Sequence, residues 1–210
     1  MRLITADQRS DAWMKARAGR ITASRAADLM AKTRSGTSAS RANLIATLAV
    51  ERLTRQCVET YTNAAMARGT DLEPEARAAY EIATGRIVEE VGFGVHDELD
   101  FVGASVDGLL DADGVLELKA PAAMAKHLDA LRTGAHAVEY RWQVMCQMFV
   151  TGRAWADVAS YDPRWPEPLQ LAITRVHRDE AAISALRAEC IAAHQEVEAL
   201  VRELQQRVAA

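Results

Sequence analysis

Asp107 stands ten residues before Glu117, and Glu117-Leu118-Lys119 lies in GVLELKA, an apolar and β-branched run that predicts a strand. Residues two apart on a strand share a face, so Glu117 and Lys119 project together while Leu118 points into the core. DADG at 111–114 predicts a hairpin turn that sets FVGASVDGLL beside this strand and brings Asp107 next to Glu117. Two carboxylates at bonding distance repel one another unless a cation lies between them. Their hard oxygens suit Mg²⁺ or Mn²⁺, and the carbonyl of Leu118 offers a third protein oxygen. Lys119, beside a metal-bound water, can orient that water or favour its hydroxide form, which is the equipment for metal-assisted phosphodiester hydrolysis. D-x9-E-x-K is a short pattern, and the same offsets also arise in an ordinary solvent-edged hairpin. Glu73, in RGTDLEPEARAAYE with Glu75 and Arg77 near it, can add a carboxylate or stand exposed on its helix.

The elements that must carry these residues follow from periodicity and turn signals. A helix is expected over Asp7–Arg17, ending near Gly19, and ITASRAADLMA begins another, with Thr22 or Ser24 offering a cap oxygen. KTRSGTSAS reads as a loop, followed by helices at about 40–56 and 63–83, the second broken by Gly69 and closed by Gly85. IVEEVGFGV, FVGASVDGLL and GVLELKA predict a three-strand meander. Helices at about 122–132 and 139–150, strands ADVASYD and LQLAITRV, and an amphipathic helix over 179–207 complete the chain. The expectation is one α/β (α+β) domain over 1–210 with a central mixed sheet flanked by helices. It has a helical part to about 85, a sheet core over about 86–176 and a closing helix.

Length and charge bound the rest. The chain has 210 residues, half of them apolar, and a formal net charge of −4, which speaks against a simple basic coat for nucleic acid. The charge is unevenly placed: residues 1–68 carry 12 basic and 5 acidic side chains, residues 69–117 carry 2 and 13, and the remainder cancels. A basic front and an acidic middle suit a nuclease, with cations for phosphates and carboxylates for metal, or are two ordinary solvated faces. Cys57, Cys146 and Cys190 are widely spaced and form no CxxC pair, which indicates neither a disulfide framework nor a zinc site. With no stretch apolar enough for a membrane span, a reduced, cytoplasmic protein is expected.

DAWMKARAGRITAS, MARGTDLEPEARAAYE, ASVDGLL, LELKAP and SYDPR, in that order, resemble the lambda-exonuclease family and its YqaJ-type viral recombinases, from about residue 11 to 164. The resemblance implies the restriction-endonuclease-like core with a PD-(D/E)xK signature, and Mg²⁺-dependent 5′→3′ digestion of linear duplex DNA that leaves a 3′ single strand. It implies that Asp107, Glu117, Glu73 and the Leu118 carbonyl hold metal, that Lys119 is the motif lysine, and that Gln143 lies near them on the helix after the core strands. Arg17 then holds the 5′-phosphate with Ser24 in the same pocket, a guanidinium and a helix N-terminus being good partners for a dianion. Met66 matches an apolar wedge between terminal base pairs and Arg34 an arginine that reaches the duplex, although a helical Met is also a core residue and a loop Arg also a solvated one. The family further implies a ring-shaped trimer threaded by DNA and a single-strand annealing protein as partner.

The chain departs from the pattern at two places. Val106 stands where the motif has Pro, and Met145 where a second glutamine is usual, with Gln147 one turn on as a partial substitute. In the last helix Ile183, Leu186, Cys190, Ala193, Val197, Leu200 and Leu204 form a stripe that packs on the chain's own sheet or on another copy. The five histidines read as structural or surface residues, and the tryptophans as packing residues that can also stack bases. An endonuclease on the same core and a non-catalytic DNA-end-binding module are the alternative readings. An iron–sulfur cluster would need a fourth cysteine.

Overall fold

A computed structural model describes residues 1–8, 10–33, 36–58 and 64–209. In chain order the elements are β1 (Arg2–Ile4), α1 (Asp11–Arg17), β2 (Ile21–Thr22), a 3₁₀ turn (Ala23–Arg25), α2 (Ala26–Met30), β3 (Lys32–Thr33), β4 (Gly36–Thr37), α3 (Ala39–Thr54) and α4 (Ala64–Thr84). Then come β5 (Val88–Glu89), β6 (Phe93–Val95), β7 (Val102–Ala104), β8 (Gly108–Leu110), β9 (Gly114–Lys119), α5 (Met124–Thr133), α6 (Ala135–Glu139) and α7 (Arg141–Thr151). β10 (Trp155–Tyr161), a 3₁₀ turn (Glu167–Leu169), β11 (Leu171–His177) and α8 (Glu180–Ala209) close the chain.

The mixed α/β class holds, but the central sheet is divided. A four-stranded sheet has the order β1-β6-β7-β2 and a five-stranded sheet the order β11-β10-β9-β8-β5. β10 runs parallel to β9 and β2 parallel to β7; the other pairs are antiparallel. The meander strand IVEEVGFGV is thus split into β5 and β6, and FVGASVDGLL into β7 and β8, one half of each in either sheet. Both halves keep one register, Val88 opposite Leu110 and Val95 opposite Gly103. The two runs are therefore a single antiparallel ribbon whose middle has opened at 90–92 and 105–107. Gly92 fits this break for a steric reason: a Cβ there would lie 2.2 Å from the Ile4 carbonyl oxygen. Asp107, expected within a strand, lies in the opening one residue before β8.

Other expectations are corrected. α4 is not broken at Gly69 but runs through it and through Pro74. Proline inside a helix costs about 3 kcal/mol in isolation, and tertiary bonds hold this helix on either side of it. Arg68 Nη2 meets Asp162 at 3.0 Å, and the Tyr161 hydroxyl donates to Glu75 at 2.7 Å. The loop at 32–40 contains the β3–β4 ribbon. The first helix starts at Asp11, where the Ser10 hydroxyl accepts from the Trp13 N–H at 3.2 Å.

α7 sits at the centre. Val144 to Val150 are all buried, as befits a helix that is apolar around most of its circumference and packed between both sheets and α2. α8 lays Ile183, Leu186, Cys190, Ala193 and Val197 into the main core, chiefly against the helices α2, α3 and α7. Leu186 is fully buried there. Leu186→Ala is expected to lower unfolding free energy by about 2–5 kcal/mol in urea titration, the cost of a core cavity.

Candidate active site

The opened ribbon leaves the edge of β9 without a strand partner beyond Leu116, because β8 begins at Gly108. Asp107 takes that place. Its N–H donates to the Leu116 carbonyl at 3.2 Å, and its Oδ2 accepts the Leu118 N–H at 2.6 Å. The N–H and C=O of one strand residue face the same side, so the Leu118 carbonyl is also on the Asp107 edge.

Glu117 is buried, 3% exposed, and its two oxygens are held separately. Oε1 accepts from Lys119 Nζ and Gln143 Nε2, each at 2.5 Å, and Oε2 accepts from Gln147 Nε2. Lys119 Nζ also stands 3.4 Å from Gln143 Oε1 and 4.2 Å from the centre of the Tyr140 ring. Glu73, on α4, pairs with Arg77 at 3.0 Å, and Arg77 reaches Glu90 at 2.8 Å. Glu73, Asp107, Glu117, Leu118 and Lys119 line one cleft of about 800 Å³ with Thr70 and Tyr140. A second cleft of about 480 Å³, lined by Glu90, Val91, Gly92 and Val106, is the gap in the ribbon, and it shares Glu73 and Asp107 with the first.

The electrostatics are unbalanced. Withdrawal from bulk water, and then the charge of Glu117, push the Asp107 carboxyl well above the usual carboxylate range. Burial works against the charge on Lys119, but Glu117 and Asp107 outweigh it and raise its pKa, so the lysine is a cation and not a base. One lysine thus faces two carboxylates.

That deficit, together with an all-oxygen donor set, fits a hard divalent cation. Among the described residues no three acidic, histidine or cysteine side chains stand close enough to hold a metal as they are. Glu117 is turned onto Lys119 and the two glutamines, and Glu73 onto Arg77. Metal binding would redirect those side chains. Gln147 Oε1 is buried without a partner among the described residues, a further sign of a site not satisfied by protein alone.

A second set of residues is built around Arg17, at the end of α1. Its guanidinium lies 4.1 Å from the Trp13 ring centre, with Nη1 3.4 Å from Ser105 Oγ and Nη2 3.5 Å from Ser24 Oγ. The Trp13 indole N–H donates to the same Ser105 Oγ at 3.0 Å. Neither Thr22 nor Ser24 caps a helix, as the sequence had led one to expect. Ser24 lies inside the 3₁₀ turn, 3.2 Å from Thr22 Oγ1, and its hydroxyl faces Arg17. Arg17 has no carboxylate within ion-pair distance among the described residues, and burial lowers its pKa. It is an under-solvated cation among hydroxyls, a fitting receptor for an anion.

Two residues join these sets: Ser105, which is not among the expected ones, and Gln147, expected only as a partial substitute for the glutamine absent at 145. Ser105 offers its hydroxyl to Arg17 and its carbonyl to Gln147 Nε2 at 3.1 Å, and Gln147 in turn holds Glu117. The signal for Ser105 was its two-residue offset from Asp107, which puts both on one strand face. The signal for Gln147 was a lone amide in the apolar run VMCQMFV. Met145, at the usual glutamine position, is core, as is Val106. Arg34 lies outside the described residues. Met66 falls in the first turn of α4, with its side chain outside them too.

Known proteins resemble this chain in sequence and in fold. The model of the YqaJ-like viral recombinase domain matches residues 12–154. The crystal structure of an alkaline exonuclease (LHK-Exo) from Laribacter hongkongensis is 43% identical, covers 95% of this chain and 98% of its own, and superposes with a TM-score of 0.87; the LHK-Exo complex with dAMP gives the same figures. A phage-related exonuclease from Haemophilus somnus 129PT shares the fold, with a TM-score of 0.73 at 13% identity over 88% of this chain and 96% of that one. No curated protein matches the chain.

Asp107→Asn relieves the carboxylate repulsion while keeping an acceptor for the Leu118 N–H. In chelator it is expected to unfold at the same temperature as wild type or a higher one. Lys119→Met leaves both carboxylates without their cation and is expected to lose about 1–3 kcal/mol, reduced from the fully buried case because the lysine is partly exposed. Thermal and urea unfolding of the two variants, both without metal, decide it.

Proposed function

The chain belongs to the YqaJ-like viral recombinase family, and on that premise we propose that it is a Mg²⁺-dependent 5′→3′ exonuclease of linear double-stranded DNA. It releases mononucleotides and leaves a 3′ single strand for recombination by strand annealing. The observation that carries this reading is the shared anchor at Ser105. Its hydroxyl accepts the Trp13 indole N–H of the Arg17 helix at 3.0 Å, and its carbonyl accepts from Gln147, which holds Glu117; an anion receptor is thus tied to a carboxylate and lysine cluster, as suits an enzyme that measures one nucleotide from an end.

Asp107, Glu117, the Leu118 carbonyl and Glu73 would hold the divalent cation, with Mn²⁺ as a substitute. When bound, such a cation neutralises the scissile phosphate and lowers the pKa of water beside it. Lys119, kept charged by its carboxylate neighbours, orients that water and offsets charge developing on the phosphate. Gln143 and Gln147 fix the Glu117 carboxylate by one oxygen each. Arg17, Ser24 and Ser105 receive the terminal 5′-phosphate. Met66 and Arg34 are assigned to the fork and the duplex ahead of it. The working form is a ring-shaped trimer, acting with a single-strand annealing protein in the cytoplasm. Among the described residues no helix is long and apolar enough to cross a membrane.

Linear duplex with 5′-phosphate ends should be degraded in Mg²⁺ and not in chelator, with covalently closed circles resistant. Glu117→Ala should lower the rate by about 10²–10³-fold or more, as loss of a transition-state group does. Arg17→Ala should reduce the preference for 5′-phosphate over 5′-hydroxyl ends by about 10–100-fold, the value of one charged hydrogen-bond pair. Digestion of closed circles at the linear rate would make the protein an endonuclease, and end binding without hydrolysis in either metal would make it a binding module.

A further inference from the structure

α3 buries a charge that the proposed reaction does not use. Glu51 is 1% exposed, and a carboxylate so placed is costly unless it is paired and hydrogen-bonded. It is bonded on every side. Oε2 accepts the Gly19 N–H at 2.8 Å and Arg25 Nη1 at 3.0 Å. Oε1 accepts Arg25 Nη2 at 2.7 Å, the Val58 N–H at 3.1 Å and the Cys57 thiol at 3.6 Å. Burial opposes its ionisation, but these donors outweigh burial and hold the carboxyl below the usual range.

Two of these donors, Gly19 and Arg25, adjoin the Arg17 pocket. Gly19 follows Arg17 by two residues, in the left-handed turn (φ 71°) that ends its helix, and Arg25 follows Ser24 in the 3₁₀ turn. Gly19 is gripped from the same helix a second time. Arg52 Nε donates to its carbonyl at 3.0 Å, and a Cβ at Gly19 would lie 2.7 Å from Arg52 Cγ. Arg52 is itself tied to Glu198 of α8 at 2.8 Å. By contrast, the direct bonds of Arg17 to Ser24 and Ser105, at 3.4–3.5 Å, are too long to hold those groups in place. Their separation is set by the backbone, which Glu51 grips from both turns and Arg52 from one.

We propose that Glu51 is the positioning residue for recognition of the terminal phosphate: it fixes the Arg17 turn against the Ser24 turn, and thereby sets the preference for 5′-phosphorylated ends. This rests on the reading of the Arg17 pocket given above.

The test compares initial rates on linear duplex with 5′-phosphate and 5′-hydroxyl ends, in Mg²⁺, for wild type, Glu51→Gln, Glu51→Gln with Arg25→Gln, and Arg17→Ala. The double variant removes both charges of the pair together, so it decides the matter if Glu51→Gln alone strands Arg25 and fails to fold. The ratio of the two rates should fall about ten-fold in both Glu51 variants, the equivalent of one hydrogen bond to the phosphate. The rate on 5′-hydroxyl ends should stay within about two-fold of wild type, since the group lost acts only on the phosphorylated end. An unchanged ratio, or equal loss on both ends, overturns the role of Glu51 where Arg17→Ala still lowers the ratio. An unchanged ratio in Arg17→Ala overturns the pocket itself, and this proposal with it.

Discussion

The opening of one β-ribbon is the constraint on which the rest of the site depends. Were β5–β6 and β7–β8 paired without interruption, residues 105–107 would exchange hydrogen bonds with residues 91–93. Asp107 would then be a strand residue beside Val91. Instead the ribbon parts and its halves join different sheets. The backbone groups of 105–107 turn to other partners: Asp107 N–H to Leu116, and Ser105 carbonyl to Gln147. Buried backbone polar groups must be satisfied, so releasing them from the ladder is tolerable only because β9 and α7 stand ready to receive them. In the same step Asp107 reaches the unpartnered edge of β9, Ser105 faces Arg17, and Glu117 is drawn to Gln147. The two clefts that meet at Asp107 and Glu73 are the space left by the parting.

Charge is arranged to make that space useful. Five of the twelve basic side chains in the first 68 residues are spent within the protein: Arg25 on Glu51, Arg41 on Glu196, Arg52 on Glu198, Lys32 on Glu189 and Arg68 on Asp162. Most of these pairs fasten the helical front to α8, and they turn an apparent phosphate-binding face into a structural seam. Arg17 is different in kind, set among hydroxyls and rings and partly stripped of water. A cation so placed gains more from an incoming dianion than an exposed, carboxylate-paired arginine would. The acidic middle is not evenly solvated either. Its consequential members are Asp107 and Glu117, whose repulsion is offset by Lys119 alone. Net charge concealed both facts; where each charge sits carries the function.

Much of this was legible in the sequence, and the residues show why some was not. Glu117, Leu118 and Lys119 were placed by the two-residue period of a strand, and Asp107 by a hairpin whose turn chemistry is local; such short-range rules survive folding. The division of the sheet was not legible because every residue in IVEEVGFGV and FVGASVDGLL suits a strand, and only the approach of β1 to Gly92 marks the break. Gly69 and Pro74 looked like interruptions of α4 because propensity is local. Asp162 and Tyr161, about 90 residues away, override it. Ser105 carries no motif of its own, and Gln147 was legible only as a stand-in for the glutamine missing at 145. Their roles arise where three distant segments meet, and no spacing rule within one segment reports that.

The limits of the family match do not mark the limits of the functional unit. The match ends at residue 154, before β10, β11 and α8. Yet β10 is the parallel neighbour that holds β9 along its whole length, from Gly114 to Lys119, so the strand bearing Glu117 and Lys119 is fixed by a segment outside the match. α8 contributes in the same way from a greater distance, since Glu198 restrains Arg52 and Arg52 restrains the Gly19 carbonyl beside Arg17. A segment can vary in sequence and still be indispensable when what it supplies is a backbone ladder or a packed helix and not a particular reacting side chain. The relative at 43% identity, aligned over 95% of the chain, keeps these elements in its fold.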